Sequence, residues 1–258
     1  MIVALHKQGS FEVRRKPGSE LVTTADLQSD ELIRRELGSK FPDFRFLSEE
    51  TAVEAPFDFS GAVWVIDPID GTANYVHGHP YVSISIALLE DGKPRIGVVH
   101  APFLRETFAA IDAGAATCNG VPIRVSEARE LRRALVGTGV PHDRSDLTIP
   151  MERIRRLVAE CQDVRRPGSP ALDICWVAAG RLDAHCESLA PWDIAAAGLI
   201  ATEAGAVRGN LRDGDGVLPP ALRGEEFIVA APGIFEELCR LLGEKAKGKR
   251  QKSKGKRN

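Results

Sequence analysis

The chain has 258 residues, of which 43% are hydrophobic and 27% charged, with a formal net charge of -2. That length buries a sizeable core as one large domain or two closely packed halves, and the composition is that of an ordinary globular protein. No apolar run approaches the ~20 residues that span a bilayer, and the start, Met1 to Lys7, lacks the apolar length of a secretory signal. Five cysteines (118, 161, 175, 186 and 239) are odd in number and scattered, without a Cys-x-x-Cys pair. They point to reduced thiols in a cytosol and away from a structural zinc site. Residues 245 to 258 hold eight Lys or Arg and no acid, which leaves -10 on residues 1 to 244 when taken from -2. An acidic body suits cations. The basic tail has almost nothing to bury; it reads as disordered and offers weak contact with nucleic acid or another polyanion.

In chain order, residues 24 to 41 read as a helix with Ile33, Leu37 and Phe41 on one stripe and Asp26 and Asp30 near its start. Phe44 to Leu47 is a short strand, followed by Glu49 and Glu50 and an acidic loop over 52 to 61, which Phe57 and Phe59 either pack down or carry as a mobile lid. Ala62 to Ile66 is a buried strand; Gly71 and Thr72 open a short helix. Strands follow at Tyr81 to Leu89, Ile96 to His100 and Glu106 to Ile111, spaced closely enough for antiparallel pairing. In the second half, Leu135 to Thr138 and Asp163 to Arg165 are strands around a basic helix, Pro150 to Cys161. Pro170 to Ala179 is an apolar helix, Leu182 to Cys186 a strand, and Trp192 to Ala204 a buried helix, apolar nearly all round. Glu226 to Ala231 is a last strand and Gly233 to Leu242 a last helix. The order predicts an α+β protein in which two mixed sheets alternate with helix layers. The halves divide softly between residues 130 and 145 and are taken as 1–135 and 136–244.

Asp67-Pro68-Ile69-Asp70-Gly71-Thr72 carries the most chemistry. Two carboxylates three residues apart, with Pro68 fixing the backbone between them, converge on one hard cation, and the N–H groups of a helix start suit an anion. Cation and phosphate sites in one loop suggest metal-assisted phosphoryl chemistry. Glu49-Glu50 at a strand end and Asp193 in the first turn of the buried helix could complete the centre. Each also has a plainer reading, as a solvated strand end and a helix cap. Carboxylate oxygens are the right donors for Mg²⁺, which keeps waters and takes oxygens from a substrate phosphate.

Trp64-Val-Ile-Asp-Pro-Ile-Asp-Gly-Thr-Ala-Asn-Tyr75 resembles the signature of the inositol monophosphatase family, and Trp192-Asp-Ile-Ala-Ala-Ala-Gly-Leu-Ile-Ala-Thr-Glu-Ala-Gly205 its second signature. Leu47-Ser-Glu-Glu-Thr51, Lys16 with Leu21-Val-Thr-Thr-Ala-Asp26, and Gly168-Ser-Pro-Ala-Leu-Asp173 are similar to three further family segments, in register from about residue 11 to 243. The resemblance implies a layered αβαβα, sugar-phosphatase-like fold, a homodimer and Li⁺ sensitivity. It implies two or three Mg²⁺ ions held by Glu49, Asp67, the Ile69 carbonyl, Asp70 and Asp193. A water activated by the cation would attack the phosphorus, its proton accepted through Thr72 and Glu49, with Asp70 completing the catalytic set. Backbone N–H groups of Gly71 and Thr72 would hold the phosphate, while Gly168, Ser169, Glu187 and Asp193 would line the pocket for the leaving alcohol.

Against that pattern, Glu187 stands six residues before Asp193, one fewer than usual in the family; Pro170 replaces a small Ala, and Tyr75 replaces a Phe. Only 15 residues precede Lys16, where the family has a longer first helix: either that helix is lost, which would expose apolar surface and weaken the fold or the dimer, or the chain starts late. Inositol monophosphate is the leading substrate. Fructose-1,6-bisphosphate and 3'-phosphoadenosine 5'-phosphate would need an extra basic pocket, for which Arg165, Arg166 and Arg181 are available, and histidinol phosphate an acidic one near Glu187. The alternative of another class is an RNA or protein interaction module working through the basic tail.

Overall fold

The computed structural model describes residues 1–15, 21–52, 56–141, 144–212 and 216–243. Lys16, part of the acidic 52–61 loop and the basic tail fall outside them. A short helix α1 (Ile2–Gln8) precedes a two-stranded ribbon, β1 (Val13–Arg15) with β2 (Leu21–Thr23), and the long helix α2 (Thr24–Lys40). A seven-stranded sheet follows: β3 (Arg45–Ser48), β4 (Ala62–Asp70), β5 (Ser83–Glu90), β6 (Lys93–Ala101), β7 (Glu106–Ile111), β8 (Thr117–Cys118) and β9 (Val121–Pro122), hydrogen-bonded in that order. Only its first pair is parallel. α3 (Thr72–Val76) sits between β4 and β5.

The second sheet takes β10 (Leu135–Thr138), β11 (Asp163–Arg165), β12 (Ala184–Glu187), β13 (Val207–Asn210) and β14 (Phe227–Ala230) in the order β11-β10-β12-β14-β13, parallel on one side and antiparallel on the other. Its helices are α4 (Thr148–Glu160), α5 (Pro170–Ala178), α6 (Pro191–Glu203) and α7 (Phe235–Gly243). α5 and α6 pack on each other and lie between the sheets, α6 against β4 to β7 and α5 against β12 and β14. α2 covers β4, while α4 and α7 pack on each other and on β11 and β14. The expected αβαβα layering is therefore present.

One apolar cluster runs from Leu47 and Val65 through Ile174 and Ile194 to Val229, across the break between the sheets. Close approach of α6 to the first sheet depends on Gly97 of β6, where a Cβ would come within 2.7 Å of the Ala196 carbonyl oxygen. Phe59 is buried in this core with Phe57 packed beside it, so the described end of the acidic loop is packed down.

Three expectations change. The stripe Ile33, Leu37, Phe41 is only half-buried or exposed; the buried face of α2 is Ala25, Asp26, Ser29 and Asp30. The strand expected to stop at Ile66 continues through Asp70. The apolar surface expected at the N-terminus is covered, since Ile2 of α1 is buried with Leu5, Phe11, Ile69, Tyr75 and Val82. Tyr75, fully buried, donates its hydroxyl to the Ile2 carbonyl at 2.8 Å, so the change from Phe anchors α1.

Candidate active site

β3 and β4 run side by side in parallel, and just past the end of β3 the Glu49 amide donates to the Ile66 carbonyl at 3.1 Å. Glu49 thus stands next to Asp67. In a regular strand Asp67 and Asp70, three apart, would point to opposite faces. Here three steps on β4 face two on β5, Asp67 opposite Ser85 and Asp70 opposite Ser83, a one-residue bulge at Pro68-Ile69. The bulge turns both carboxylates to one side, a common use of this device beside active sites. Asp193 arrives from the start of α6, whose position is tied to β5 by a hydrogen bond from the Ser85 hydroxyl to the Trp192 carbonyl at 3.1 Å. The result is that Asp67, Asp70 and Asp193 each bring an oxygen within 4.8 Å of the others.

One oxygen of each aspartate is held by the protein. Asp67 Oδ1 accepts from the Ile69 amide at 3.0 Å, and Asp193 Oδ2 from the Ala190 amide at 2.8 Å. Asp70 Oδ2 accepts from the hydroxyls of Ser83 and Ser169 and from the Ala171 amide at 2.9 Å, at the N-terminus of α5, where the helix dipole favours an anion. Burial pushes Asp70 up to about 6 despite those hydrogen bonds. Asp67 is raised well above the ordinary carboxylate range, first by burial and then by the charges of Glu49, Asp70 and Asp193; Asp193 is raised by burial and by Asp70. Crowded, buried like charges are costly without a cation to offset them.

These acids form one end of a cleft of about 530 Å³. Gly71, Thr72, Ala73 and Asn74 line it with Gly168 and Pro170, and so do Glu187, Ser188, Leu189 and Trp192. Gly71, at φ 94°, makes the sharp exit from β4 into α3 that a residue with a Cβ rarely adopts. Asn74 donates to the carbonyls of Tyr81 and Pro167, both at 2.8 Å, and so ties α3 to the segment leading into α5. Pro170 occupies the first turn of α5, where a missing N–H costs nothing.

Of the residues expected at the site, Glu49, Asp67, Ile69, Asp70, Gly71, Thr72, Gly168, Glu187 and Asp193 all line this cleft. Ser169 is placed differently. It is fully buried behind Asp70, bonded to that carboxylate and to Ser83, and is not among the residues that line the cleft. Of the arginines considered for a second phosphate, Arg166 lines the cleft, joined by Arg15 and Arg144 at its rim. Arg165 pairs with Asp163, and Arg181 pairs with Glu106. His77 and His79 lie in the turn after α3.

Asp26 is the residue that sequence reasoning left out of the site. Its Oδ2 accepts from the Thr23 amide at 2.7 Å and closes the capping box of α2, while its Oδ1 accepts the Thr72 hydroxyl at 3.0 Å. Thr-x-x-Asp at a helix start is visible in sequence, but it signals only a cap. Burial raises the Asp26 carboxyl above its ordinary value, against the lowering effect of the Thr23 and Thr72 hydrogen bonds.

A family model described as the inositol monophosphatase family matches residues 3–247. Among curated proteins the chain is 36% identical over 235 residues to Nus factor SuhB of Pasteurella multocida, covering 90% of this chain and 86% of that one. It is 39% identical over 229 residues to inositol monophosphatase 2 of Solanum lycopersicum, covering 86% and 82%. Among solved structures, extragenic suppressor protein suhB from Bartonella henselae superposes with a TM-score of 0.85 at 32% identity, over 94% of this chain and 93% of that one. An IMPase/NADP phosphatase, 26% identical, has been solved with Mg²⁺ and phosphate (TM-score 0.81) and with D-inositol-1-phosphate (TM-score 0.80), each match covering 95% of this chain and 90% of that one.

Proposed function

Since the chain belongs to the inositol monophosphatase family, we propose that it is a Mg²⁺-dependent phosphomonoesterase whose leading substrate is an inositol monophosphate. The observation that carries this reading is the convergence of Asp67, Asp70 and Asp193 at the head of one cleft. An all-oxygen, anionic donor set of this kind suits Mg²⁺, and the raised carboxyls of Asp67 and Asp193 mark a place where a cation would relieve repulsion. Glu49, Asp67 and the Ile69 carbonyl would hold one ion, and Asp67, Asp70 and Asp193 another. When bound, the cation supplies a Lewis acid for the phosphoryl oxygens and lowers the pKa of water.

The chain's own groups do the rest. Backbone N–H groups of Gly71 and Thr72, where β4 passes into α3, receive the phosphate. Thr72 Oγ1 lies 3.0 Å from Asp26 Oδ1 and 3.2 Å from the Ile69 carbonyl. Its hydroxyl hydrogen is shared between these two acceptors, which leaves its lone pairs to accept the proton of an attacking water, with Asp26 as the group behind it. Glu49 is the second acceptor, placed beside Asp67. Gly168, Pro170 and Glu187 form the wall that meets the leaving alcohol. A homodimer and a cytosolic setting belong to the same proposal; among the described residues no helix is long and apolar enough to cross a membrane.

The rim arginines Arg15, Arg144 and Arg166 favour one rival, a substrate with a second anionic group. The similarity to a protein named Nus factor SuhB favours another, an interaction role that the basic tail would serve. Phosphate release from inositol 1-phosphate, fructose-1,6-bisphosphate, histidinol phosphate and 3'-phosphoadenosine 5'-phosphate, with and without Mg²⁺, decides among them. Turnover should require Mg²⁺ and fall at least about 10²-fold in Asp70→Asn. Turnover indifferent to both would remove the metal reading, and none at all from folded protein would favour the interaction role.

A further inference from the structure

β12 carries two alternate residues with ionisable side chains, His185 and Glu187. His185 is fully buried. Its Nδ1 lies 3.6 Å from Asp173 Oδ2 on α5, and its Nε2 lies 3.6 Å from Glu187 Oε2. The other oxygen of Asp173 accepts the Tyr81 hydroxyl at 2.7 Å, and the Tyr81 carbonyl accepts from Asn74 on α3. Tyr81 is thus tied to α3 by its backbone, and from its hydroxyl a row of polar groups passes through Asp173 and His185 to Glu187, which opens on the cleft. Neither ring nitrogen of His185 has a hydrogen-bond partner within normal range among the described residues, so the two carboxylates are what the ring meets.

The neighbouring strand is shaped to admit these side chains. Gly137 of β10 pairs with His185, and a Cβ at that position would come within 2.9 Å of Nδ1. At Gly139, just past β10, a Cβ would overlap the Glu187 carboxylate. A neutral imidazole donates from one nitrogen only, whereas the imidazolium donates from both. With Asp173 and Glu187 facing its two nitrogens, the charged ring is the form that offers a donor to each. Burial pushes the Asp173 carboxyl itself up to about 7, against the lowering effect of His185. Burial alone would lower the pKa of this histidine, but Glu187 and Asp173, with a smaller effect from Asp70, outweigh burial and raise it.

We propose that His185 is a positioning residue for substrate selection: as an imidazolium between Asp173 and Glu187, it fixes the Glu187 carboxylate on the cleft wall to accept hydrogen bonds from a polyol leaving group. The proposal rests on the phosphomonoesterase reading. It assigns Glu187 to neutral, hydroxyl-rich leaving groups and sets it against a second phosphate at that end of the cleft, since an anion there would meet a fixed carboxylate.

The test compares inositol 1-phosphate with p-nitrophenyl phosphate, whose leaving group has no ring hydroxyls, on the full-length Mg²⁺-loaded protein. His185→Phe should lower kcat/KM for inositol 1-phosphate about tenfold, mostly through KM, and leave p-nitrophenyl phosphate within about twofold. Added to Glu187→Gln, it should cost nothing further. Equal losses on both substrates, or additive losses in the double variant, would overturn the proposal. Should His185→Phe fail to fold, His185→Gln takes its place, and ¹⁵N-histidine NMR of the unmodified protein decides independently. Both ring nitrogens of His185 should carry protons at about pH 7 and one should lose its proton in Glu187→Gln; a neutral ring in the unmodified protein overturns the proposal. The NMR result stands even if neither phosphate ester is hydrolysed, which separates failure of this proposal from failure of the phosphatase reading.

Discussion

α2 and α6 both pack on β4, and they bury opposite chemistry there. α6 buries Ile194, Ala195, Ala196, Ala197, Leu199 and Ile200, and its one acid of consequence, Asp193, stands at its head. α2 buries Asp26, Ser29 and Asp30, and each has a partner near the site. Asp26 takes the Thr72 hydroxyl, Ser29 donates to the Pro68 carbonyl at 3.1 Å, and Asp30 accepts the Ser48 hydroxyl at 2.6 Å while pairing with Arg34. The apolar helix contributes core burial. The polar helix contributes geometry, because its hydrogen bonds reach the bulge, the turn into α3 and the end of β3. Buried polar groups of this kind are tolerated only when satisfied, so α2 specifies where the loop lies more than it stabilises the fold.

That contrast separates activity from stability, and the sharpest break comes from Thr72→Val. Loss of the hydroxyl should lower kcat by about 10²-fold or more, the scale of a positioned acid or base, while the melting temperature barely moves. A comparable loss of stability with full activity would reverse the roles assigned here. Ile200→Ala on α6 should do the opposite, costing about 2–5 kcal/mol in denaturant unfolding with kcat per folded molecule unchanged.

A gentler probe is pH. The carboxyls of Asp67, Asp70 and Asp193 are raised in the folded, metal-free protein, Asp70 to about 6. The folded state then holds protons more tightly than the unfolded one. The stability they contribute is fully present below their ordinary pKa of 3.8 and is lost as pH rises through the folded value. A Mg²⁺ ion held by these carboxylates would replace those protons. The rise in melting temperature produced by saturating Mg²⁺ should therefore grow from about pH 5 to about pH 8. A flat profile would mean that the acidic cluster is not where the cation acts.

Much of this was legible in the sequence for physical reasons. Apolar runs ending in caps marked α5 and α6, and the two signatures marked Asp67, Asp70 and Asp193 before any geometry was known. What escaped depended on tertiary pairing. Pro68 and two acids disguise the last residues of β4 as a loop, because only the partner strand reveals a bulge. Hydrophobic periodicity pointed to Ile33 and Leu37 on α2, whereas its buried side is the polar one. Ser169 was expected in the pocket from the family segment it belongs to, whereas its hydroxyl turns inward to Asp70. His185 sits between Ala184 and Cys186 with nothing to mark it until Asp173 and Glu187 are seen on either side.

The carboxylates come from both sides of the break between the sheets: Glu49, Asp67 and Asp70 precede it, and Asp193 follows it. The Asp70 oxygen is moreover secured by Ser169 and Ala171, which lie beyond that break as well. The Asp67, Asp70 and Asp193 set is finished by neither sheet alone, so binding of a cation there would work as a checkpoint on assembly. A chain cut between β9 and β10 would give two fragments with little affinity for the ion when separate, and the ion would act as the rivet that rewards their reunion.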